Sequence, residues 1–424
     1  MDYYYSKATC LVIVFFVCFN CKFNHASNPN LSREEDLEIE RQLKLLNKPF
    51  IKTYKTKEGD IIDCVDINKQ PALDHPLLKN HKVQTLPSEF VSKLFKEDSS
   101  QSNNGILTSN NNNGEGCPVG FVPIRRTLKE DLIRLKSLSS NSKNQQSSMN
   151  PEDDDLSGDS FYDAVRFPYY QNVVSHSLIK AQYYHGAKAR IAVHNVSLSD
   201  NGQSSSANIW VLGGSDDSLN VLMAGWQVNP AVNGDNLPRT FVYWTVDTGV
   251  TTGCYNMLCQ GFVLVNPNIH VGSSILPASI YQGQQYDYQF SIVQAIGHWW
   301  VRVGDNQVGL GYWPNELFPN LLRGADQVAW GGSAQPTLYG DESPPLGSGH
   351  KPNGKPDEAI FVRNIQYIAP NYILSIPTLN NTINYVSNSS CYDLISNENC
   401  SFDPFKYCFT FGGPGGHGCE ASTT

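Results

Sequence analysis

Short runs of alternating apolar and polar residues follow one another from about Arg166 to the C-terminus. They recur at intervals of about 8–12 residues, separated by Gly, Pro, Asn and Asp, which is typical of antiparallel strands joined by tight turns. Helical spacing is nearly absent here, and Glu316 to Arg323 is the one short helix predicted. The pattern predicts an all-β fold, an antiparallel β-sandwich over 166–424. Representative runs are AKARIAVHNV, SANIWVLGG, RTFVYWTVD and QYDYQFSIVQ.

The N-terminal part of the chain has a different pattern. Residues 32–49 place Leu and Ile near helical spacing, with Ser32 as a candidate N-cap and Pro49 as a stop. A short apolar strand, Ile61 to Val65, follows. These elements predict a small α+β module over 27–135.

Two low-complexity segments interrupt the chain. Residues 97–116 are rich in Asn, Ser and Gly and predict a disordered insert within the module. Residues 136–165 are rich in Ser, Asn and Asp and predict a linker between the module and the sandwich.

The first residues predict a secretory signal peptide. Lys7 precedes an apolar run from Leu11 to Phe19, too short to span a bilayer, which needs about 20 residues. We expect a signal peptide over 1–26, secretion to the extracellular space or cell wall, and no membrane association after its removal.

The cysteines and glycosylation motifs agree with secretion. Three of the 11 cysteines lie in or beside the signal, and an even number after a signal predicts disulfides. No Cys-X-X-Cys or suitably spaced His predicts a metal site, and no cofactor is expected. The eight remaining cysteines are Cys64, Cys117, Cys254, Cys259, Cys391, Cys400, Cys408 and Cys419. Asn-X-Ser/Thr motifs predict glycosylation at Asn30, Asn195, Asn380, Asn388 and Asn399.

Charge narrows the range of partners. The net charge is −9, whereas a general nucleic-acid partner would call for a basic face. No nucleic-acid binding is therefore predicted, and the oligomeric state is left open.

Several strings together resemble the neprosin family of plant secreted proteins. Residues 60–87 and the string CPVGFVPIRR at 117–126 resemble its activation-peptide domain. The C-terminal part resembles the neprosin prolyl-endopeptidase domain. The matching strings there are AGWQV, YWTVD, TGCYNMLCQGFV, YWP, WGG, GSGH and FGGPG.

The resemblance implies a β-sandwich peptidase that cleaves after proline in acid. In the family pattern two glutamates face each other across a cleft, one activating a water and the other serving as acid. One immediately precedes AGW and the other immediately follows WGG, where this chain has Met223 and Ser333. Neither side chain can transfer a proton between water and an amide at acid pH.

Other acids are poor replacements. Glu316, Glu342 and Glu358 lie in loop-like contexts rich in Pro, Gly and Asn. Asp235, Asp247 and Asp287 are expected to serve in caps, turns and pairs with Arg, Asp235 with Arg239 among them. Ser333 as a nucleophile would need a base beside it, and no spacing supplies one.

Three hypotheses follow. The favoured one is a catalytically degenerate peptidase homologue that binds proline-containing peptides or cell-wall components. The second is an active endopeptidase with altered acids, and the third is an extracellular structural protein without a ligand. The aromatic residues expected in a remaining cleft are Trp226, Trp244, Tyr312 and Trp330.

Two further expectations concern assembly. Cys64 pairs with Cys117 and Cys254 with Cys259; among the three arrangements of the four tail cysteines, Cys391–Cys419 with Cys400–Cys408 is preferred. The N-terminal module packs over one face of the sandwich.

Overall fold

The computed structural model describes residues 32–84, 107–108, 110–111, 116–136, 171–177, 183–215, 218–338 and 340–419. The predicted signal peptide, Asn30 and the linker over 137–165 lie outside these residues.

The N-terminal module is a three-stranded antiparallel sheet with helices beside it. Helix α1 (Arg33–Leu46) begins at Ser32, whose hydroxyl accepts a hydrogen bond from the Glu35 amide while the Glu35 side chain binds the Ser32 amide. This capping box confirms the predicted helix start. Ile39 and Leu46 pack against Leu132 of a helical segment over 129–136. The sheet has the order β1 (Phe50–Lys55), β2 (Ile61–Asp66), β5 (Phe121–Arg125).

Two larger sheets form the predicted antiparallel sandwich. The seven-stranded sheet has the order β11-β10-β9-β8-β17-β6-β20, and the ten-stranded sheet has the path β12-β16-β15-β14-β7-β18-β22-β21, with β19 and β3 added at its side. In the seven-stranded sheet the bounds are β6 (Gln171–Ser177), β8 (Ser204–Gly213), β9 (Asn220–Val228), β10 (Arg239–Thr245), β11 (Cys254–Tyr255), β17 (Gln327–Gln335) and β20 (Thr382–Val386). In the ten-stranded sheet they are β3 (Leu107–Thr108), β7 (Gly186–Ala192), β12 (Val263–Leu264), β14 (Tyr286–Ala295), β15 (His298–Val303), β16 (Val308–Pro314), β18 (Ile360–Ile368), β19 (Leu374–Ser375), β21 (Asp393–Asn397) and β22 (Cys408–Gly412).

The main core lies between the two sheets. Alternate residues of β9, such as Leu222, Ala224 and Trp226, belong to the same buried cluster as Ile292 and Trp299 of the opposite sheet. Every residue of β9 is buried, so its other face is covered as well. Alternate side chains of β9 therefore lie in two different environments, the core between the sheets and the opposite face of the seven-stranded sheet.

Two predictions of local structure need correction. Four residues of the segment expected to be disordered form short strands, β3 and β4 (Asn110–Asn111), which pair with β14 and with β13 (Ile275–Leu276). Backbone pairing with an existing strand accepts polar residues that composition alone would leave unstructured. The helix predicted at Glu316 to Arg323 is two separate 3₁₀ turns, Asn315–Leu317 and Pro319–Leu321, because Pro319 has no amide hydrogen to continue the first.

All four predicted disulfides are confirmed. Cys64–Cys117 joins β2 to the segment before β5, and Cys254–Cys259 closes the turn that leads from β11 to β12. The tail holds Cys391–Cys419 and Cys400–Cys408.

The described part of the module contacts one edge of the sandwich, where strands of both sheets end, rather than one face as predicted. The buried Gln70 side chain donates to the Leu264 carbonyl of β12 and accepts from the Leu264 amide. Asp60 forms an ion pair with Arg239 at the start of β10. Val65 and Val122 of the module join the main core cluster, so closing this edge buries apolar residues of both parts.

Candidate functional site

The two positions singled out by the sequence lie on one face of the seven-stranded sheet. Met223 is on β9 and Ser333 on β17, with β8 between them. Met223 is in register with Trp210 of β8, and Ser333 with Ser206 of the same strand. The two positions are thus two strands and four residues apart, diagonally across the face that is turned away from the ten-stranded sheet. We call this the outer face.

Met223 occupies an apolar part of the outer face. It is 8% exposed and belongs to a cluster separate from the main core. Its cross-strand neighbours are Trp210 and Tyr243. A flexible thioether packs readily among such rings. A carboxylate at this position would be destabilised because it would lose its hydration, and no described cation lies beside it to compensate. The other members of the cluster include Val174, Leu212, Leu219, Val221, Phe241 and Ala329.

Ser333 lies in a polar part of the same face. Its hydroxyl donates to the Asn172 side-chain oxygen at 2.7 Å, and the residue is 5% exposed. Ser206 and Gln227 continue the row across β8 and β9, and both are buried. An amide oxygen is too weak a base to activate a serine hydroxyl, so this contact does not make Ser333 a nucleophile.

A row with two glycines lies between the two positions. Gly225 of β9 and Gly331 of β17 are both in register with Asn208 of β8. A Cβ on Gly225 would lie 2.2 Å from the Ala207 carbonyl oxygen, so only glycine fits there without a shift. The outer face therefore has an aromatic half around Met223 and an amide- and hydroxyl-bearing half around Ser333.

No described strand position on the outer face carries a carboxylate. By the strand register, the side chains on this face are those of Asn172, Val174, Ser204, Ser206, Asn208, Trp210, Leu212, Val221, Met223, Gln227, Arg239, Phe241, Tyr243, Thr245, Tyr255, Gln327, Ala329, Ser333, Gln335, Ile383 and Tyr385.

The aspartates considered as replacements are engaged elsewhere, as the sequence predicted. Asp287 is fully buried between Arg190 and Arg363, each 2.6 Å away. Asp235 pairs with Arg239 at 2.5 Å. Each therefore balances a buried guanidinium.

Asp247 holds a turn. Burial raises its pKa, but hydrogen bonds from Thr251 and Thr252 outweigh burial and lower the pKa to about 2. Asp247 therefore stays ionised through most of the acid range and is a poor proton donor.

The glutamates considered as replacements also lie away from the outer face. Glu316 is in the 3₁₀ turn Asn315–Leu317, and Glu358 binds Asn353 and Lys355. Glu342 follows the loop at residue 340, where its carbonyl accepts from Gln203.

The four aromatic residues predicted to line a cleft are core residues instead. Trp226, Trp244 and Trp330 all belong to the main core cluster, on the opposite side of the sheet from Met223 and Ser333. Trp226 is fully buried and donates to the Ala192 carbonyl at 2.9 Å. Tyr312 is on β16 of the other sheet and binds the module. The prediction was wrong because Trp226 and Trp330 each stand three residues from the position in question, and an odd spacing changes the face.

The aromatic residues that share the outer face were missed. Trp210, Phe241 and Tyr243 stand at an even strand register with Met223, and that parity was readable from the sequence once strand pairing was known.

The described residues offer no metal site as an alternative functional site. They include no group of three His, Cys, Asp or Glu side chains that could hold a metal ion. No helix among them has the length and apolar character to cross a membrane. The predicted glycosylation sites Asn195, Asn380 and Asn399 are exposed, whereas Asn388 is half-buried and its amide donates to the Gly418 carbonyl.

Comparison with known proteins decides the family. The family model described as neprosin matches residues 201–414, just over half of the chain, and the neprosin activation peptide matches residues 53–166. The chain belongs to the neprosin family. The neprosin match contains both Met223 and Ser333, and the activation-peptide match contains β2, β5 and the second half of β1.

Two solved structures are similar at a lower level. Scytalido-glutamic peptidase with a peptide-based transition state analog is 11% identical, covers 58% of this chain and 98% of its own, and has a TM-score of 0.33. SCP-B, a member of the Eqolisin family of peptidases in complex with the tripeptide Ala-Ile-His, is 9% identical with the same coverage and a TM-score of 0.31. Similarity this low carries no argument about the site, and the assignment of this peptidase-like chain rests on the two family models.

Proposed function

We propose that this neprosin-family chain is a secreted, catalytically degenerate peptidase homologue that binds proline-containing peptides or cell-wall components without cleaving them. One observation carries the proposal. The resemblance assigns the family's two catalytic glutamates to the positions of Met223 and Ser333, and the described strand positions of the outer face carry no carboxylate in their place.

The surroundings of Met223 support the loss of catalysis rather than its replacement by another acidic group. Trp210 and Tyr243 flank it in an apolar cluster. A second candidate function, cleavage by altered acids, finds no support because Asp235, Asp247 and Asp287 are committed to Arg pairs and a turn.

The two halves of the outer face suggest which ligands suit it. Apolar rings such as that of proline pack well on aromatic side chains, and the half with Trp210 and Tyr243 supplies these. Amides and hydroxyls such as those of Gln227 and Ser206 match the hydrogen-bonding groups of a peptide backbone or a sugar. The four disulfides support passage through an oxidising compartment.

A peptide digest at about pH 3–5 tests the proposal with four proteins: the wild type, Met223→Glu, Ser333→Glu and the double variant. We expect no cleavage by the wild type or by either single variant, because general acid and base groups contribute about 10²–10⁴-fold each and one carboxylate cannot play both roles. The double variant is expected to regain some cleavage after proline. As a control, Val119→Glu with Val250→Glu adds the same charge at exposed positions and should stay inactive.

Three results would oppose the proposal. Cleavage by the wild type would favour the active-enzyme hypothesis. If the chain cut within 137–165 does not bind proline-rich peptides, the structural-protein hypothesis is favoured. The same holds if Trp210→Ala leaves the affinity for these peptides unchanged. Met223 and Ser333 are 8% and 5% exposed in the full chain, so the cut and uncut chains are compared.

A further inference from the structure

A cavity of about 440 Å³ opens in the N-terminal module. Its lining residues come from the segment after α1 and from two 3₁₀ turns after β2, Pro71–Asp74 and Pro76–Leu78, together with residues beside these turns. None of the described lining residues belongs to the outer face of the sandwich. Pockets for small ligands have volumes of about 300–1,000 Å³, so this cavity is large enough to hold a small organic ligand.

The base of the cavity is apolar and firmly held. Leu78 is 2% exposed and belongs to the main core cluster, and Leu73 packs against that cluster. Gln70 lines the cavity beside them, and its side chain is fixed by two hydrogen bonds to the backbone of Leu264. A ligand therefore meets a preformed surface and does not have to order these side chains when it binds.

The rim of the cavity is cationic. Three lysines line it, Lys48, Lys69 and Lys79, and Asn68 adds a side-chain amide. Asp74 is the one carboxylate among the described lining residues. The chain as a whole has a net charge of −9, so this rim has the opposite sign to the protein that carries it. Such a local surplus of positive charge attracts anions.

Two of the three lysines are already in ion pairs. Lys48 pairs with Asp74, and the exposed Lys69 lies 3.7 Å from Asp66. An exposed pair of this length contributes about 1 kcal/mol or less, so an incoming anion competes with it at little cost. Lys79 is exposed and has no ion pair among the described residues. An anion at the rim can therefore reach two ammonium groups without breaking a buried ion pair.

Base and rim together define the chemistry of a ligand. The lysines set the charge at neutral pH, because burial lowers the pKa of the lining His81. Ammonium groups only donate hydrogen bonds, and they bind carboxylates and phosphates. An inorganic anion would leave the apolar base unused, and a sugar acid would place hydroxyl groups against Leu73 and Leu78. A carboxylate attached to an apolar side chain satisfies both parts of the cavity.

We propose that this cavity binds the free carboxyl end of a peptide whose last residue is apolar. The terminal carboxylate contacts Lys69 and Lys79 at the rim, and the last side chain lies on Leu73 and Leu78. The Asn68 side chain supplies a donor and an acceptor for the peptide backbone. This site is separate from the outer face and does not depend on any binding or cleavage there.

The test is isothermal titration calorimetry of the full chain at about pH 7 with the N-acetylated peptide Gly-Ser-Gly-Ala-Leu, which contains no proline. We expect saturable binding of the free acid. The carboxamide of the same peptide should bind at least about tenfold more weakly, because it replaces charge-assisted hydrogen bonds with neutral ones. A peptide that ends in glycine should also bind about tenfold more weakly, because it lacks the side chain that the apolar base would bury.

Substitutions at the rim test the role of charge. Lys79→Gln should weaken binding of the free acid about two- to fivefold and leave the affinity for the carboxamide unchanged. Asp74→Asn removes the one described lining carboxylate and should strengthen binding of the free acid by a similar factor. A substitution that merely disturbed the module would not strengthen binding. Lys57→Gln, exposed in the turn between β1 and β2, is the matched control and should bind like the wild type.

Several results would overturn the proposal. They are absence of binding by the free acid, equal affinities for the free acid and the carboxamide, and an affinity for inorganic phosphate as high as that for the peptide. Tighter binding of tetragalacturonic acid than of the peptide would assign the cavity to an acidic polysaccharide instead. The outer-face variant Trp210→Ala should bind the free acid like the wild type. Loss of binding in that variant would place the peptide on the outer face and overturn the assignment to the cavity.

Discussion

The two faces of the seven-stranded sheet carry different residues in the described structure. On the inner face, Trp226 and Trp330 are fully buried in the core that joins both sheets. On the outer face, three residues away on the same strands, stand Met223 and Ser333. Because successive residues point to opposite sides of a strand, residues on one side can change without disturbing the packing on the other. Matching family strings therefore indicate the fold more securely than the activity.

The largest expected effect is a difference in stability between substitutions on the inner face and on the outer face. Trp226→Ala should lower the free energy of unfolding by about 3–5 kcal/mol, since it empties a fully buried site and removes the hydrogen bond to Ala192. Met223→Ala should cost about 2 kcal/mol, at the low end for a buried methionine, because it lies in the smaller outer cluster. Chemical denaturation of both variants measures the difference, and equal losses would contradict the distinction.

An intermediate effect probes the environment of Met223. A glutamate introduced there would have a raised pKa, because the apolar cluster disfavours the charged form. Its neutral form is then the better tolerated, so the variant should lose stability as the pH rises from about 4 to 7, by about 1.4 kcal/mol per unit of pKa shift. The uncharged Met223→Gln is the control. If both variants have the same pH dependence, the cluster does not exclude charge as described.

The smallest effect compares two serines on opposite faces of the sheet. Ser333→Ala on the outer face removes the hydrogen bond to Asn172 and should cost about 1 kcal/mol. Ser205 of β8 points to the inner side, where its buried hydroxyl has no hydrogen-bond partner among the described residues, so Ser205→Ala should be neutral or stabilising. Thermal unfolding of the two variants gives the comparison, and a larger loss for Ser205→Ala would reverse it.

Much of the fold was predictable because its signals are local. Alternating runs predicted the sandwich, Ser32 predicted the start of α1, and the four predicted cysteine pairs are those of the structure. It was also predictable that Trp226 and Met223 lie on opposite faces of the sheet, because an odd number of residues separates them along the strand.

Long-range contacts were not predictable in the same way. His81 and Tyr312 meet across 231 residues of sequence, and Asp60 reaches Arg239 across 179. No local pattern records such pairs, so the edge position of the module was missed. The short strand β4 lies in an Asn-rich segment, where backbone pairing with β13 rather than side-chain type provides the structure.

The most direct test of the central claim is an acid digest of a proline-containing peptide by the wild-type chain alone, assayed both intact and cut within 137–165. Mass spectrometry follows the peptide over time, with heat-inactivated protein as the blank. The absence of carboxylates at positions 223 and 333 predicts an intact peptide at the level of the blank. Fragments ending in proline that appear in proportion to the wild-type protein would contradict the claim that this neprosin-family chain has lost its catalysis.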